Sequence, residues 1–356
     1  MCFCSDFVAT TNCASDSLAI EVLLLSANLV FHTLVVDLHS LSMATRVPLR
    51  FLRRGVFCIP GPGKERSGGE DAFFCTPTAL GVADGVGSWI NEGIDPSLYP
   101  RKLMSAALNS SLKTPTELAK INEFPPLAIL QEAYQAAAKA RVLGSSTAVV
   151  CSMLDENRLG ILNVGDSGIR IVRNGSLLFG SAEGTFSFNF PYQLGPTSDF
   201  RPAQGERAII TLLRGDVIVL ASDGVLDNVY DDDIIKFVSP LAMTATGKDD
   251  KEVPSLLTPA QAAEDLAKFA FKLSRTRSGT SPFGARAKEA GHHYDGGKPD
   301  DITVVLAVAD EDSKAQAGPA QPQLEALKAS DCPVLLEDFL KLRQSGLSGS
   351  WGKSRL

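Results

Sequence analysis

Residues 81–89 read GVADGVGSW, and the apolar run from Ala79 to Ala83 enters them unbroken before stopping at Asp84. A short apolar run bounded by turn residues is the pattern of a strand buried on both faces. Taken alone, Asp84-Gly85 is a turn pair, because Asp accepts local backbone hydrogen bonds and Gly takes positive φ without steric cost. The pair gains meaning because the ending recurs. Glu70-Asp71 opens the run AFF, Asp166 follows LGILNV, Asp223 follows VIVLAS with Asp227 four residues on, and Asp300-Asp301 precede ITVVL. Acids that converge cannot all stay ionised without a counter-charge. Mg²⁺ supplies one, taking oxygen ligands octahedrally and keeping several waters, and Mn²⁺ suits the same donors. The spacing permits convergence without establishing it.

Working outward, strands are expected at 79–83, 147–154, 159–164, 169–173, 216–221 and 302–308, and helices at 100–112, 127–142, 231–239 and 259–274. Asn174-Gly175 between apolar runs predicts a hairpin turn. Thr258-Pro259 predicts an N-cap and a first helical residue. The strands sit at hairpin spacing while the helices are few and separate, which favours an α+β fold of antiparallel sheets over a βαβ array. Residues 55–64, rich in Gly and Pro, read as a linker into the folded domain. Residues 310–329 read as a polar spacer, residues 333–343 as a short amphipathic helix, and the end is rich in Gly and Ser.

The 356 residues are 44% hydrophobic with a net charge of −7, enough for a large core and without an electrostatic reason to bind nucleic acid. Seven scattered cysteines do not suggest a disulfide framework. Residues 22–36 are apolar, but Ser26, Asn28 and His32 interrupt a stretch too short for a comfortable membrane span. From Met43 onward the chain carries Arg46, Arg50, Arg53 and Arg54 with no acid before Glu65, as organelle transit peptides do. Met43 is therefore read as the working start. Other motifs fail: GPGKERS lacks the Ser or Thr after Lys64 that a P-loop needs, DGVLDNVYDDD misses EF-hand spacing, His292-His293 has no third zinc ligand nearby, and no Gly-x-Ser-x-Gly elbow occurs.

The ordered set GEDAFF, GVADGVGSW, LGSSTAVV, NVGDSG, ASDGVLDNV and KPDDITVVL resembles the type 2C metal-dependent protein serine/threonine phosphatases, most closely their mitochondrial or plastid branch. The resemblance covers roughly residues 64–309. It implies an αββα four-layer sandwich, with residues 1–54 as an N-terminal extension, 55–310 as the catalytic domain and 311–356 as a flexible tail. It implies hydrolysis of phosphoserine or phosphothreonine by a water or hydroxide bridging two Mn²⁺ or Mg²⁺ ions. Carried over by position, Asp84 matches the acid that bridges both ions. Glu70 and the Gly85 carbonyl match ligands of one, and Asp223 and Asp300 match ligands of the other. Asp71 matches an acid that orients water on the metals. Asp166 and Asp227, with Asp223, match a weaker third site found in some members. Arg66 stands where many members place a phosphate-binding arginine, and the glycines between it and Glu70 leave Lys64 or solvent as alternatives for that place. Val86 stands where many place a general-acid histidine, which departs from the pattern.

The implied partners are phosphorylated proteins, without nucleic acid or a stable membrane span, and a monomer is expected. The expected address is the mitochondrion, with the plastid as the alternative and the cytoplasm behind both. Trp89 is expected to pack under the site, Ser145, Ser146 and Thr147 to bond backbone near the acids, and FNFPYQLG at 188–195 to pack as a flap. Three other readings stay open on the residues: a scaffold without metals, a hydrolase of small phosphate esters, and a Ca²⁺-binding module.

Overall fold

A computed structural model describes residues 48–243, 257–311 and 327–328. Its strands in chain order are β1 (Leu49–Ile59), β2 (Ala72–Cys75), β3 (Ala79–Ala83), β4 (Ala148–Met153), β5 (Arg158–Val164), β6 (Gly168–Arg173), β7 (Ser176–Gly180), β8 (Thr185–Ser187), β9 (Phe190–Pro191), β10 (Glu206–Thr211), β11 (Val217–Ala221), β12 (Ile302–Glu311) and β13 (Leu327–Lys328). Its helices are α1 (Leu98–Ser111), α2 (Pro115–Ala119), α3 (Pro125–Lys139), α4 (Asp223–Leu226), α5 (Asp231–Met243), α6 (Pro259–Ser274) and α7 (Pro282–Glu289). One antiparallel sheet has the order β1-β12-β11-β6-β7, a second has β10-β5-β4-β3-β2-β13, and β8 pairs with β9 as a separate hairpin.

The layers follow from the period-two alternation of strands buried on both faces. Along β11, Val217, Val219 and Ala221 pack against α5 and α6 through Ile234, Val238, Ala263 and Leu266. The residues between them, Ile218 and Leu220, face the second sheet and meet Leu80, Val82, Val149 and Ile161. On the far side of that sheet, Phe74, Ala83, Val150 and Leu162 pack on Leu103, Met104, Leu127 and Leu130 of α1 and α3. Three apolar cores thus separate four layers, and the fold is the αββα sandwich expected.

Local signals behaved as their chemistry requires. Asn174 and Gly175 both take positive φ, 50° and 76°, closing the β6–β7 hairpin. Thr258 caps α6 by accepting from the Gln261 amide at 3.2 Å. Acids Asp231, Asp232 and Asp233 open α5.

Two expectations need correction. Residues 55–59 are not linker, and residues 49–54 are not detached extension: both belong to β1, which pairs with β12 from Leu49↔Glu311 to Ile59↔Ile302. Phe51 and Leu49 are buried between the sheets, while Ile59 and Phe57 face α6. The alternation of Arg with apolar residues was a strand period as well as a leader composition, and Arg53 reaches Asp310 at 3.4 Å on the neighbouring strand. The first strand among the described residues therefore begins at Leu49. The polar spacer likewise contains β13, which pairs with β2. The helix expected at 333–343, the apolar run at 22–36 and the start at Met43 lie outside the described residues. Among the described residues, no helix is long and apolar enough to cross a membrane. Among the described residues, Cys75 and Cys151 are buried free thiols.

Candidate active site

Sheet register carries the acids to one place. Ala72 pairs with Ala83, so Asp71 and Asp84, one residue beyond each, share one end of the second sheet. Ala221 pairs with Gly168 on one side and Val304 on the other. That brings Asp223, Asp166 and Asp300-Asp301 to one end of the first sheet. The two ends are tied by Asp301, which is 2% exposed. Its Oδ2 accepts from the Glu70 amide at 2.9 Å and its Oδ1 from the Gly61 amide at 2.5 Å. The contact between α4 and β12 is closer still. A side chain on Gly224 would place Cβ 1.9 Å from the Asp301 carbonyl oxygen, so glycine is required after Asp223.

Gly85 sits opposite Ser146 in an isolated antiparallel bridge. The hydrogen bonds of that bridge come from the flanking residues, Thr147 N to Asp84 O at 2.9 Å and Val86 N to Ser145 O at 3.0 Å. Gly85 is thus the non-hydrogen-bonded member, and its carbonyl takes no part in the pair. The Asp84 amide donates to Thr147 Oγ1 at 3.2 Å, which places Thr147 beside the acid as expected. Trp89 Nε1 donates to Ser145 Oγ at 2.6 Å, and Ser145 donates to Gln193 Oε1 near the end of the expected flap. Within the flap, Phe188 stacks on His292 and meets Phe283, while Phe190 is exposed.

The acids feel one another strongly. Burial pushes the Asp84 carboxyl well above the usual range, and the charges of Asp223, Asp71, Asp300 and Asp166 push it further. Asp71 is raised by burial and then by Asp301; the hydroxyls of Ser222 and Thr303 lie near and oppose this. Neither Asp71 oxygen completes a hydrogen bond, however. Burial, Asp223 and Asp227 raise Asp166. Burial and Asp223 raise Asp227 to about 7 and Asp300 to about 6. Asp223 moves the other way: burial is outweighed by the Lys298 ammonium, and its carboxyl is held low.

Two lysines stand among these carboxylates. Lys64 Nζ reaches Glu70 Oε2 at 2.7 Å, Asp301 Oδ2 at 2.9 Å and Asp300 Oδ1 at 3.3 Å. Lys298 Nζ reaches Asp223 Oδ2 and Asp227 Oδ2, both at 2.6 Å. Among the described residues, no three acids, histidines or cysteines are gathered tightly enough to share an ion as they stand. The donor set nevertheless fits hard divalent cations. Both oxygens of Asp71 and Oδ1 of Asp223 are buried without a hydrogen-bond partner, an arrangement native proteins rarely leave unexplained. Oxygen donors from four strand ends are the ligands Mg²⁺ and Mn²⁺ take.

Of the positions singled out in the sequence, Glu70, Asp71, Asp84, Gly85, Asp166, Asp223, Asp227 and Asp300 come together. Arg66 does not: it is exposed on its loop, and Lys64 is the cation that reaches the acids. Sequence reading missed Lys298, Arg286 and the tying role of Asp301. Lys298 stands two residues before Asp300, but a single lysine in a polar loop carries no signal until the fold places it.

Comparison with known proteins gives the same picture. The chain is 38% identical over 269 residues to probable protein phosphatase 2C 80 of Arabidopsis thaliana, matching 74% of this chain and 60% of that protein. It is 34% identical over 265 residues to protein phosphatase PTC7 homolog fig of Drosophila simulans, matching 70% of this chain and 80% of that one. The X-ray structure of the photosystem II phosphatase PBCP superposes with a TM-score of 0.60 at 29% identity, over 72% of this chain and 97% of that chain. No family model matches the chain. The chain spans only about half the length of some plant relatives, 52% of probable protein phosphatase 2C 55 for example.

Proposed function

The chain belongs to the type 2C protein phosphatase family, and from that premise we propose that it hydrolyses phosphoserine and phosphothreonine in proteins with two divalent cations. The observation that carries this reading is the meeting of Glu70, Asp71, Asp84, Asp223 and Asp300 at one edge of the two sheets, with buried carboxylate oxygens left unpaired. Glu70, Asp84 and the Gly85 carbonyl would hold one ion, and Asp84, Asp223 and Asp300 the other. When bound, Mn²⁺ or Mg²⁺ would lower the pKa of water and offset charge on the phosphoryl oxygens.

The chain's own groups have separate tasks. Asp71, buried beside the ligands, orients water for in-line attack on phosphorus and accepts its proton. Lys64 replaces Arg66 as the candidate partner of the phosphate, since it is the cation of that loop whose ammonium reaches the acids. Val86 has no proton to give, so the departing serine or threonine oxygen takes its proton from water. The enzyme is proposed to act as a monomer in an organelle. Of the four arginines that suggested an organelle leader only Arg46 precedes β1, so the organelle address rests on likeness to a photosystem II phosphatase, which favours the plastid. Any leader that is removed must end before Leu49, because β1 starts there.

The test is turnover by the full chain on a phosphothreonine peptide beside a panel of nucleotides and small phosphate esters, with Mn²⁺, Mg²⁺, Ca²⁺ or EDTA. Hydrolysis of the peptide with Mn²⁺ or Mg²⁺, abolished by EDTA, supports the reading. Preference for nucleotides would move the substrate class, and a folded protein that binds metal without turnover would make it a scaffold.

A further inference from the structure

Three acids of the site, Asp166, Asp223 and Asp227, form a group of their own beside α4, and a cation already stands in it. Lys298 Nζ lies 2.6 Å from Asp223 Oδ2 and 2.6 Å from Asp227 Oδ2. Its side chain is 17% exposed, and its ammonium also lies 5.0 Å from the centroid of the Phe283 ring. That gives the charge two carboxylates and an aromatic face, a well-satisfied environment for an ammonium.

The position of this lysine is fixed by backbone rather than by chance. The Lys298 amide donates to Asn228 Oδ1 at 2.8 Å, and Asn228 Nδ2 donates back to the Lys298 carbonyl at 2.8 Å. Asn228 Nδ2 also donates to the Gly224 carbonyl at 2.9 Å, which locks this amide to the helix that begins at Asp223. A two-point clamp on the main chain fixes the point from which the side chain reaches the acids.

Asp227 is moreover spoken for on both oxygens. Oδ2 meets Lys298, and Oδ1 meets the Arg286 guanidinium, whose Nε also pairs with Glu183 at 3.0 Å. A carboxylate bonded on each oxygen by a cationic side chain offers a metal an oxygen only when one of those pairs gives way, and the Lys298 pair is the one that faces Asp223. Asp223 differs, since its Oδ1 has no partner and remains for an ion on the other side of the group.

We propose that Lys298 is a built-in cation that closes the Asp166, Asp223 and Asp227 group, so that this chain binds two divalent ions and not a third. The inference rests on the two-metal reading above and revises it at Asp166 and Asp227, which become charge partners rather than metal ligands. The ammonium supplies one fixed positive charge at Asp223 that neither metal supply nor chelators can alter.

The experiment counts Mn²⁺ bound to the full-length protein by equilibrium dialysis with elemental analysis, followed by electron paramagnetic resonance of the bound ions. Wild type is expected to hold two ions and Lys298→Met three, because removing the ammonium leaves three adjacent acids without it. Lys298→Arg is expected to keep two, and Asp227→Asn is expected to leave the wild-type count unchanged. Three ions on wild type, falling to two in Asp227→Asn, would overturn the proposal. So would two ions on a folded Lys298→Met protein. Fewer than two ions on wild type would instead remove the two-metal reading itself. If Lys298→Met does not fold, the wild-type and Asp227→Asn counts decide alone.

Discussion

Asp71 shows how much a single residue's surroundings decide. It lies one position before a buried strand, has no hydrogen bond on either oxygen, and is pushed upward by burial and Asp301. Such a group is ready to receive a proton, and its loss should be felt without collapse of the fold. Outer partners of a metal site typically cost about 10–100-fold in affinity or activity when removed, so Asp71→Asn is expected to lower Mn²⁺ affinity or kcat by about that factor while Tm holds. Calorimetric Mn²⁺ titration beside peptide turnover checks this, and unchanged values in both would show Asp71 to be only structural. The two cations of the loop before Glu70 make a paired contrast. Arg66 is exposed and away from the acids, so Arg66→Ala should leave kcat/KM within about twofold, as surface changes usually do. Lys64→Met should raise KM for the phosphopeptide severalfold, since a charge-assisted phosphate contact is lost. A steady-state comparison of the two variants separates the roles, and the opposite ranking would restore Arg66.

At the scale of elements, β1 carries the clearest prediction. A chain beginning at residue 48 keeps the whole strand, whereas one beginning at residue 55 loses Leu49 and Phe51 from the core between the sheets. Burying two such side chains contributes roughly 3–6 kcal/mol, so the shorter chain should unfold many degrees earlier or fail to fold. Thermal unfolding of the two truncations tests this, and equal Tm values would mean that β1 is dispensable. The sequence misled here for a physical reason: Arg alternating with apolar residues suits both a leader and an edge strand, where Arg53 pairs with Asp310 of the neighbouring strand and Arg50 and Arg54 bond carbonyls of β1 itself. The central strands were legible because both faces are buried, so β3 and β11 read as unbroken apolar runs. The acids at their ends were legible too, since carboxylates after buried strands are few. What joins them was not. Asp301 bonding the Gly61 and Glu70 amides, 240 and 231 residues away, and Asn228 clamping Lys298 are contacts between distant segments that leave no local pattern.

For the whole molecule, the gathered acids make stability depend on pH and metal together. Unfolded, these carboxyls titrate near 3.8; in the metal-free fold Asp227 sits at about 7 and Asp300 at about 6. Between about pH 4 and 7 the native state therefore binds more protons than the unfolded one, and stability falls as pH rises. The low carboxyl of Asp223 loses its contribution only as pH drops below 3.8, outside that window. Metal-free protein is expected to have a Tm several degrees higher at pH 5.5 than at pH 8. Saturating Mn²⁺ should raise Tm more at pH 8, because the ions bind deprotonated carboxylates. Scanning calorimetry in EDTA and in Mn²⁺ at both pH values reads both effects, and a flat profile would mean the acids do not share one site. We propose that acids from four strand ends hold two cations that make this chain a phosphatase. The decisive test is Mn²⁺-dependent turnover of a phosphothreonine peptide by wild type, Asp84→Asn and Asp223→Asn, all shown to be folded. The wild-type rate is expected to saturate with Mn²⁺ and to fall at least about 100-fold in each variant, since several kcal/mol of transition-state stabilisation are lost with the ions. Wild-type-like turnover in either variant would contradict the proposal.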